Sequence, residues 1–293
     1  MTGVTQPLPG VAWYDLNNPA SPALDELAKQ YQLHELQIED CRHIQRAKTE
    51  DYDHYIFTVL KALQPGKTPK FLDFDIFLGK DFLITVHAGS CPAIDKAVQR
   101  AQQQKIQRLD KLFYILVDHT VDEYLLVLDA LAEQISDVES DVLEKPEPPV
   151  LRRIFNMKRN LIDFRRNAGG MREVVNQLMR REQGFLGDDL DPFFRDVYDH
   201  IVRTVDLIET YRDLLSSSTD IYLSAVANRT NQIVKVLTVW GTVALPLVVI
   251  TGFFGMNLPL PWQHDPLGAV YATALMVAIG GLILWYFRKQ GWF

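Results

Sequence analysis

Hydrophobic and polar positions follow three different rhythms along this chain. Over the first 115 residues the rhythm is short. Stretches 11–16, 55–61, 71–78 and 82–87 alternate, or are dense in β-branched and aromatic residues, which predicts strands. Around them, 24–31, 36–41 and 93–104 carry the three-and-four spacing of helices. Residues 1–115 are therefore expected to form an α/β domain. The rhythm then lengthens. Leu125, Leu128, Leu131, Ile135, Val138 and Val142 mark a helix over 121–145, stopped by Pro146-Glu147-Pro148-Pro149. A second helix is expected from Leu151 to about Glu182, bent at Gly169-Gly170 and closed by Gly184-Phe185-Leu186-Gly187. Residues 116–190 thus read as long antiparallel helices.

The third rhythm is the longest. Asp191-Pro192 is a helix start, an N-cap followed by a proline whose missing N–H costs nothing in the first turn. Beyond it no glycine occurs before Gly241 and no proline before Pro246. Phe194, Ile201, Ile208, Leu215 and Tyr222 recur every seven residues, so one apolar row faces neighbours. Residues 191–235 read as a stalk helix, and 236–254 as its uncharged continuation. A helix as far as Phe254 measures roughly 95 Å at about 1.5 Å per residue. Residues 267–287 are a second uncharged apolar run. Each run is long enough to cross a hydrocarbon core of about 30 Å. Pro246 removes a backbone donor from the first run and is expected to bend it. The fold class expected is an α+β membrane protein. It combines a cytosolic α/β domain, a long-helix stalk and two C-terminal transmembrane helices, with an external loop at 255–266 and a basic tail at 288–293.

Charge sets the orientation. Arg229 and Lys235 precede the first run, Arg288 and Lys289 follow the second, and the loop between holds no Lys or Arg. The positive-inside rule then puts both termini in the cytoplasm and the loop outside, as in a multi-pass protein of the cell (inner) membrane. Trp262, Trp285, Tyr286 and Trp292 are candidate interfacial anchors in the lipid bilayer. A formal charge of -7 argues against a nucleic-acid partner. Cys41 and Cys91 are too few for a disulfide framework and suit a reducing compartment. No basic-then-apolar leader opens the chain, and no phosphate loop or dinucleotide fingerprint occurs. No nucleophilic triad or catalytic carboxylate pair is legible either. The expectation is a protein that is not an enzyme, binds no cofactor, and moves a cargo down an existing gradient. Two helices cannot enclose a pore, so conduction requires several copies around an axis, with the first run as the better lining.

Gly255-Met256-Asn257 follows the first apolar run directly. That tripeptide at that junction resembles the hallmark of the CorA family of divalent-cation channels. The likeness extends back through 195–200, 209–213, 222–224, 228–231, 235–238, 245–247 and 252–254, and into the body through 55–61 and 142–146. The resemblance implies a homopentamer that admits Mg²⁺, and also Co²⁺ and Ni²⁺. Mg²⁺ sheds water reluctantly and demands near-octahedral oxygen ligands. A ring of Asn257 amides holds the hydrated ion through its waters, weakly enough for release. Gly255 is expected to let the backbone turn tightly there. By the same resemblance Asn231, Val234, Leu237, Gly241, Leu245, Val248 and Gly252 face the axis. Leu237 and Leu245 would act as apolar constrictions, and Asn231 as a polar ring at the cytosolic exit. Val248 departs from the family, where a polar group is common, and makes the middle of the pore drier. Asp196 stands where the family has a regulatory carboxylate, and Glu39-Asp40 where it has the facing acidic pair. Mg²⁺ between Asp40 of one chain and Asp196 of the next cancels their repulsion, which implies closure by internal Mg²⁺. Mg²⁺ is then both cargo and regulator.

The loop departs from the family as well. A short acidic segment is common after the tripeptide, whereas here only Asp265 carries charge. The related zinc branch can lack that segment, and His264 suits Zn²⁺, so a Zn²⁺ transporter, proton-coupled or not, is the alternative. Met256 and the Asp40/Asp196 pair favour the magnesium branch. A reading of another class makes the hairpin a mere tether for a membrane-anchored coiled-coil sensor or scaffold. Cys41 and His43 have a spacing compatible with a soft-metal site, but two ligands do not make one. His200, one turn from Asp196, is a candidate helper for Co²⁺ or Ni²⁺.

Overall fold

Strand β3 (Tyr55–Gln64) is buried from Tyr55 to Leu63, on both of its faces. A strand covered on both faces is apolar at odd and even positions alike, which is how YIFTVLKAL reads apart from Thr58 and Lys61, whose side chains are hydrogen-bonded to Thr49 and Asp73. It lies within a five-stranded sheet of order β1-β5-β4-β3-β2, with β1 (Trp13–Leu16), β2 (Lys48–Asp51), β4 (Lys70–Gly79) and β5 (Leu83–His87). Only β1 and β5 run parallel; the other pairs are antiparallel. The structure is a computed structural model that describes residues 4–64, 69–180, 184–256 and 266–292.

Helices cover the sheet on both sides. Leu24 and Leu27 of α1 (Pro22–Gln30) and Ile38 of α2 (Glu35–Asp40) pack with Tyr55, Phe57, Val59, Phe77, Ile84 and Val86. The residues that alternate with these turn toward α3 (Pro92–Gln104), α4 (Leu109–Glu144) and α5 (Pro148–Met179). Tyr124 of α4 donates its hydroxyl to the Lys61 carbonyl, and the Lys61 amide meets the Met171 sulfur of α5 at 3.3 Å. Trp13, Thr85 and Asp15 form a buried chain of hydrogen bonds of 3.0 and 2.6 Å that ties β1 to β5.

A single 3-10 turn (Asp188–Leu190) leads into α6 (Asp191–Phe254), 64 residues long. Helix α7 (Gly268–Lys289) completes the elements. The chain divides into two compact units, residues 1–219 and 220–293. In the first, α6 packs through the seven-residue row anticipated above: Phe194, Ile201, Ile208 and Leu215 are each at most 2% exposed. Phe113 and Tyr114 of α4 meet Phe194 with ring centroids 6.4 and 5.7 Å away. Arg165 of α5 reaches Glu209 of α6 at 2.6 Å, and Lys158 reaches Thr219 at 3.2 Å.

Four expectations need correction. Strand β2 is an addition to the expected strands, because Lys48-Thr49-Glu50-Asp51 is a polar edge strand with a single buried side chain, Thr49. Helix α4 begins twelve residues before 121, at Leu109; residues 112–117 are buried all round, so they show no helical stripe. Helix α5 runs unbroken through Gly169-Gly170. A Cβ on Gly170 would lie 3.2 Å from the Cβ of Ala47, so this glycine serves close packing rather than a bend. Asp191 is itself helical, with φ -53° and ψ -46°, instead of an extended N-cap. Pro246 lies inside α6, which stays helical to Phe254.

The buried row of α6 yields a direct expectation. Ile201→Ala removes a fully buried side chain and should destabilise the detergent-solubilised protein by about 2–5 kcal/mol. Ser217→Ala, at an exposed position of the same helix, should change stability by less than about 0.5 kcal/mol. Urea unfolding followed by circular dichroism checks both.

Candidate ion path and carboxylate sites

From Asn228 to Thr238 every residue of α6 is exposed, and the apolar windows of α6 and α7 are each only 6% buried. A helix this apolar cannot leave its surface to water, so lipid or other helices must cover it. The coverage within the chain is one-sided. Val239 is buried, and Val243, Pro246, Leu247, Ile250 and Phe254 are partly covered. Asn231, Val234, Leu237, Gly241, Leu245, Val248 and Gly252 are all exposed. At 3.6 residues per turn these seven fall within an arc of roughly 120°, and the covered set centres on the opposite side. The two glycines on this face have open space where a Cβ would stand.

At its far end α6 closes with Gly255 N–H donating to the Thr251 carbonyl at 2.9 Å and Met256 N–H to the Phe253 carbonyl at 3.3 Å. The chain leaves the helix in a turn at Gly255, without a positive φ. A Cβ there would stand 3.1 Å from the Thr251 carbonyl oxygen. Met256 is half exposed. Asn257 lies outside the described residues, as do Trp262, His264 and Asp265 of the loop. At the other end the basic and aromatic residues meet. The Lys235 ammonium stands 5.7 Å from the Trp292 ring centre, which is itself 5.0 Å from Phe287. Lys289 stands 5.4 Å from Trp285. Ammonium groups over indole rings suit a membrane–water boundary.

The expected regulatory carboxylates have different surroundings. Asp40 closes α2 and is half-buried, with its Oδ2 at 2.7 Å from Lys48 Nζ, which also holds Glu50 Oε1 at 2.7 Å. Glu39 is exposed; its backbone carbonyl accepts from His43 Nδ1 at 2.9 Å. The Asp196 side chain is 66% exposed, and its Oδ2 stands 4.0 Å from His200 Nε2. The other ring nitrogen of His200 is 3.0 Å from Asp122 Oδ1, on α4.

One cluster lies outside the residues singled out from the sequence. Asp118, His119 and Asp122 of α4 bring one donor atom each within 4.8 Å of one another, the only such cluster among the described residues. Burial raises the Asp118 carboxyl above its ordinary value although Arg100 donates to it at 2.6 Å, and burial lowers the His119 imidazole. The signal is present as carboxylates and imidazole at i, i+1 and i+4, but Asp118 and His119 fall before the expected start of α4. On α6, Asp199, Asp206, Asp213 and Asp220 recur every seven residues and are all exposed. They share the period of the apolar row and stand on a different face. Cys41 and His43 form no such cluster; the thiol is buried, and burial first, then the Asp75 charge, push it well above its ordinary value.

These features agree with what the chain is similar to. A family described as CorA-like Mg²⁺ transporter protein matches residues 9–289. The cobalt/magnesium transport protein CorA of Thermotoga maritima is 34% identical over 269 residues, which cover 89% of this chain and 77% of that protein. The solved complete structure of the CorA magnesium transporter from Methanocaldococcus jannaschii superposes with a TM-score of 0.83 at 25% identity, covering 96% of this chain and 91% of that one. The zinc transport protein ZntB of Pectobacterium carotovorum is 24% identical over 178 residues, 60% of this chain and 53% of that protein. The α/β body, the unbroken long helix and the apolar helix pair are thus a known architecture, and the chain belongs to the CorA-like Mg²⁺ transporter family.

Proposed function

We propose that this chain assembles as a homopentamer and passes Mg²⁺, with Co²⁺ and Ni²⁺ also admitted, across the cell's inner membrane with both termini in the cytoplasm. The observation that carries this reading is the open face of α6 from Asn231 to Gly252, opposite the side its own chain covers, ending where Gly255, Met256 and Asn257 follow. Five such faces around an axis make an apolar tube with Leu237 and Leu245 as dewetting constrictions and Asn231 and Asn257 as amide rings. Asn257 amides hold the ion with its water shell on, since Mg²⁺ is reluctant to lose it. The cobalt/magnesium transport named for the Thermotoga relative supports this cargo. The likeness to the zinc protein is lower and spans less of the chain, so zinc is the weaker reading. The exposed aspartates spaced by seven on α6 add a negative field that concentrates cations. No enzymatic activity and no cofactor belong to this reading.

The gate follows from charge. Asp196 is open to a second ligand. Asp40 keeps Oδ1 beyond its contact with Lys48. Mg²⁺ between Asp40, assisted by Glu39, and Asp196 of the neighbouring copy offsets their repulsion and favours the closed arrangement. Lys48 lowers the negative charge that Asp40 presents and so weakens the ion's hold, which suits a sensor that must empty when Mg²⁺ runs low.

Two variants test path and gate separately in proteoliposomes. Asn257→Ala should abolish Mg²⁺ influx while the protein still elutes as a pentamer; influx at the wild-type rate, or a monomeric wild type, would refute the pore. Asp196→Lys should assemble and conduct but lose its inhibition by Mg²⁺ on the cytosolic side. Inhibition that persists unchanged in this variant rules out the gate and leaves the pore standing.

A further inference from the structure

Asp75, on β4, is 1% exposed, and its Oδ1 meets no hydrogen-bond partner among the described residues. Its cross-strand neighbours are Val59 on β3 and Val86 on β5. On the same face of β4 its neighbours are Phe77 and a second carboxylate, Asp73. The polar group turned to it from the helix side is the Cys41 thiol, at the end of α2, which donates to the carboxylate. The carboxyl borders a cavity of about 590 Å³ between the α2–β2 connection, the start of β4 and α5.

Three cations that line this cavity, Lys61, Arg42 and Arg166, are committed elsewhere. Lys61 Nζ of β3 donates to Asp73 Oδ1 and to the Gln45 carbonyl. Arg42, in the α2–β2 connection, holds Asp25 at 2.8 and 2.9 Å. From α5, Arg166 leans on Asp163 at 3.4 Å. Of the two remaining, His43 bonds the Glu39 carbonyl, and Lys70 stands exposed at the rim. Asp73 completes a clasp: its Oδ2 accepts the Gln45 N–H at 2.6 Å while Lys61 takes the Gln45 carbonyl. The connection 41–47 is therefore fastened to the sheet by the Lys61–Asp73 pair, directly beside a buried carboxyl that has no cation of its own.

We propose that Asp75 is a proton-operated latch for the α2–β2 connection. Neutral, it sits beside Asp73 without repulsion and the clasp on Gln45 holds. Ionised, it competes with Asp73 for Lys61, the one cation of β3 within its reach, and the Gln45 clasp loosens. Burial first, then the Asp73 charge, push the Asp75 carboxyl up to about 7, so the change falls near neutral pH. The sign follows: the native state holds this proton more tightly than the unfolded chain. The contribution of Asp75 to stability is greatest in acid and falls as pH rises from the ordinary carboxylate range through about 7. The latch ends on α2, whose last residue is Asp40. Its bearing on a gate at Asp40 rests on the function proposed above; the latch itself does not.

The test is amide hydrogen exchange of residues 41–47 in the full-length, detergent-solubilised protein, corrected for intrinsic exchange. Protection in the wild type should fall about tenfold between about pH 6 and about pH 8, and Asp75→Asn should be protected at both. A pH-independent wild type, or an Asn variant with the wild-type slope, overturns the latch. Should Asp75→Asn fold poorly, Asp73→Asn removes the neighbouring charge and infrared spectroscopy of the wild type supplies the readout. A buried protonated-carboxyl band should be present at neutral pH and titrate near it, and in Asp73→Asn it should vanish at lower pH. Absence of that band in the wild type overturns the proposal whatever happens to transport.

Discussion

A peptide amide in hydrocarbon finds no water, so a chain that crosses a bilayer must satisfy its backbone within itself. Helix α6 meets that demand across 64 residues, save for the one bond that Pro246 cannot donate. A helix has a single period, so its two ends can be specialised only through side chains. Near its start an apolar residue at every seventh position buries α6 against α4 and α5. Farther along, the same backbone carries an apolar surface that its own chain hardly covers. Burial thus anchors one part and leaves the other in need of partners.

Charges divide in a similar way. In the body, carboxylates near the sheet already have a cation: Asp73 has Lys61, and Asp118 has Arg100. Those pairs organise the fold, and ions compete for them poorly. On α6 the exposed aspartates at 199, 206 and 220 have no such pair among the described residues, and Asp196 has only a histidine at 4.0 Å. A divalent cation meets least competition there. The distinction is one of desolvation: a buried carboxylate needs its counter-ion to fold, whereas a solvated one can wait for it.

Legibility in the sequence follows the same physics. The five-residue apolar row is readable because one-sided burial writes a period into the chain, and the two uncharged runs because length without charge needs no period to be seen; both helices lie close to their expected bounds. Residues 112–117 are not, since a segment buried on all sides has no period to show. Strand β2 escapes notice because an edge strand with polar side chains looks like a loop. One glycine misleads: Gly170 reads as a place where the helix bends, yet it makes room for Ala47. Of the candidate site, Asp40, Asp196 and the open face of α6 come from resemblance. Lys48 beside Asp40 does not, because a pairing across eight residues of turn and strand has no linear signature.

Pro246 does not end α6, but it subtracts one bond from it. A proline has no N–H to give the carbonyl four residues earlier, that of Thr242. Elsewhere along the rod, leaning the outer segment away from the inner one stretches a complete girdle of hydrogen bonds. At this level the girdle has a gap. The piece from Leu247 outward can swivel about that point at little enthalpic expense, so the helix is a jointed lever whose compliance is concentrated in a single turn.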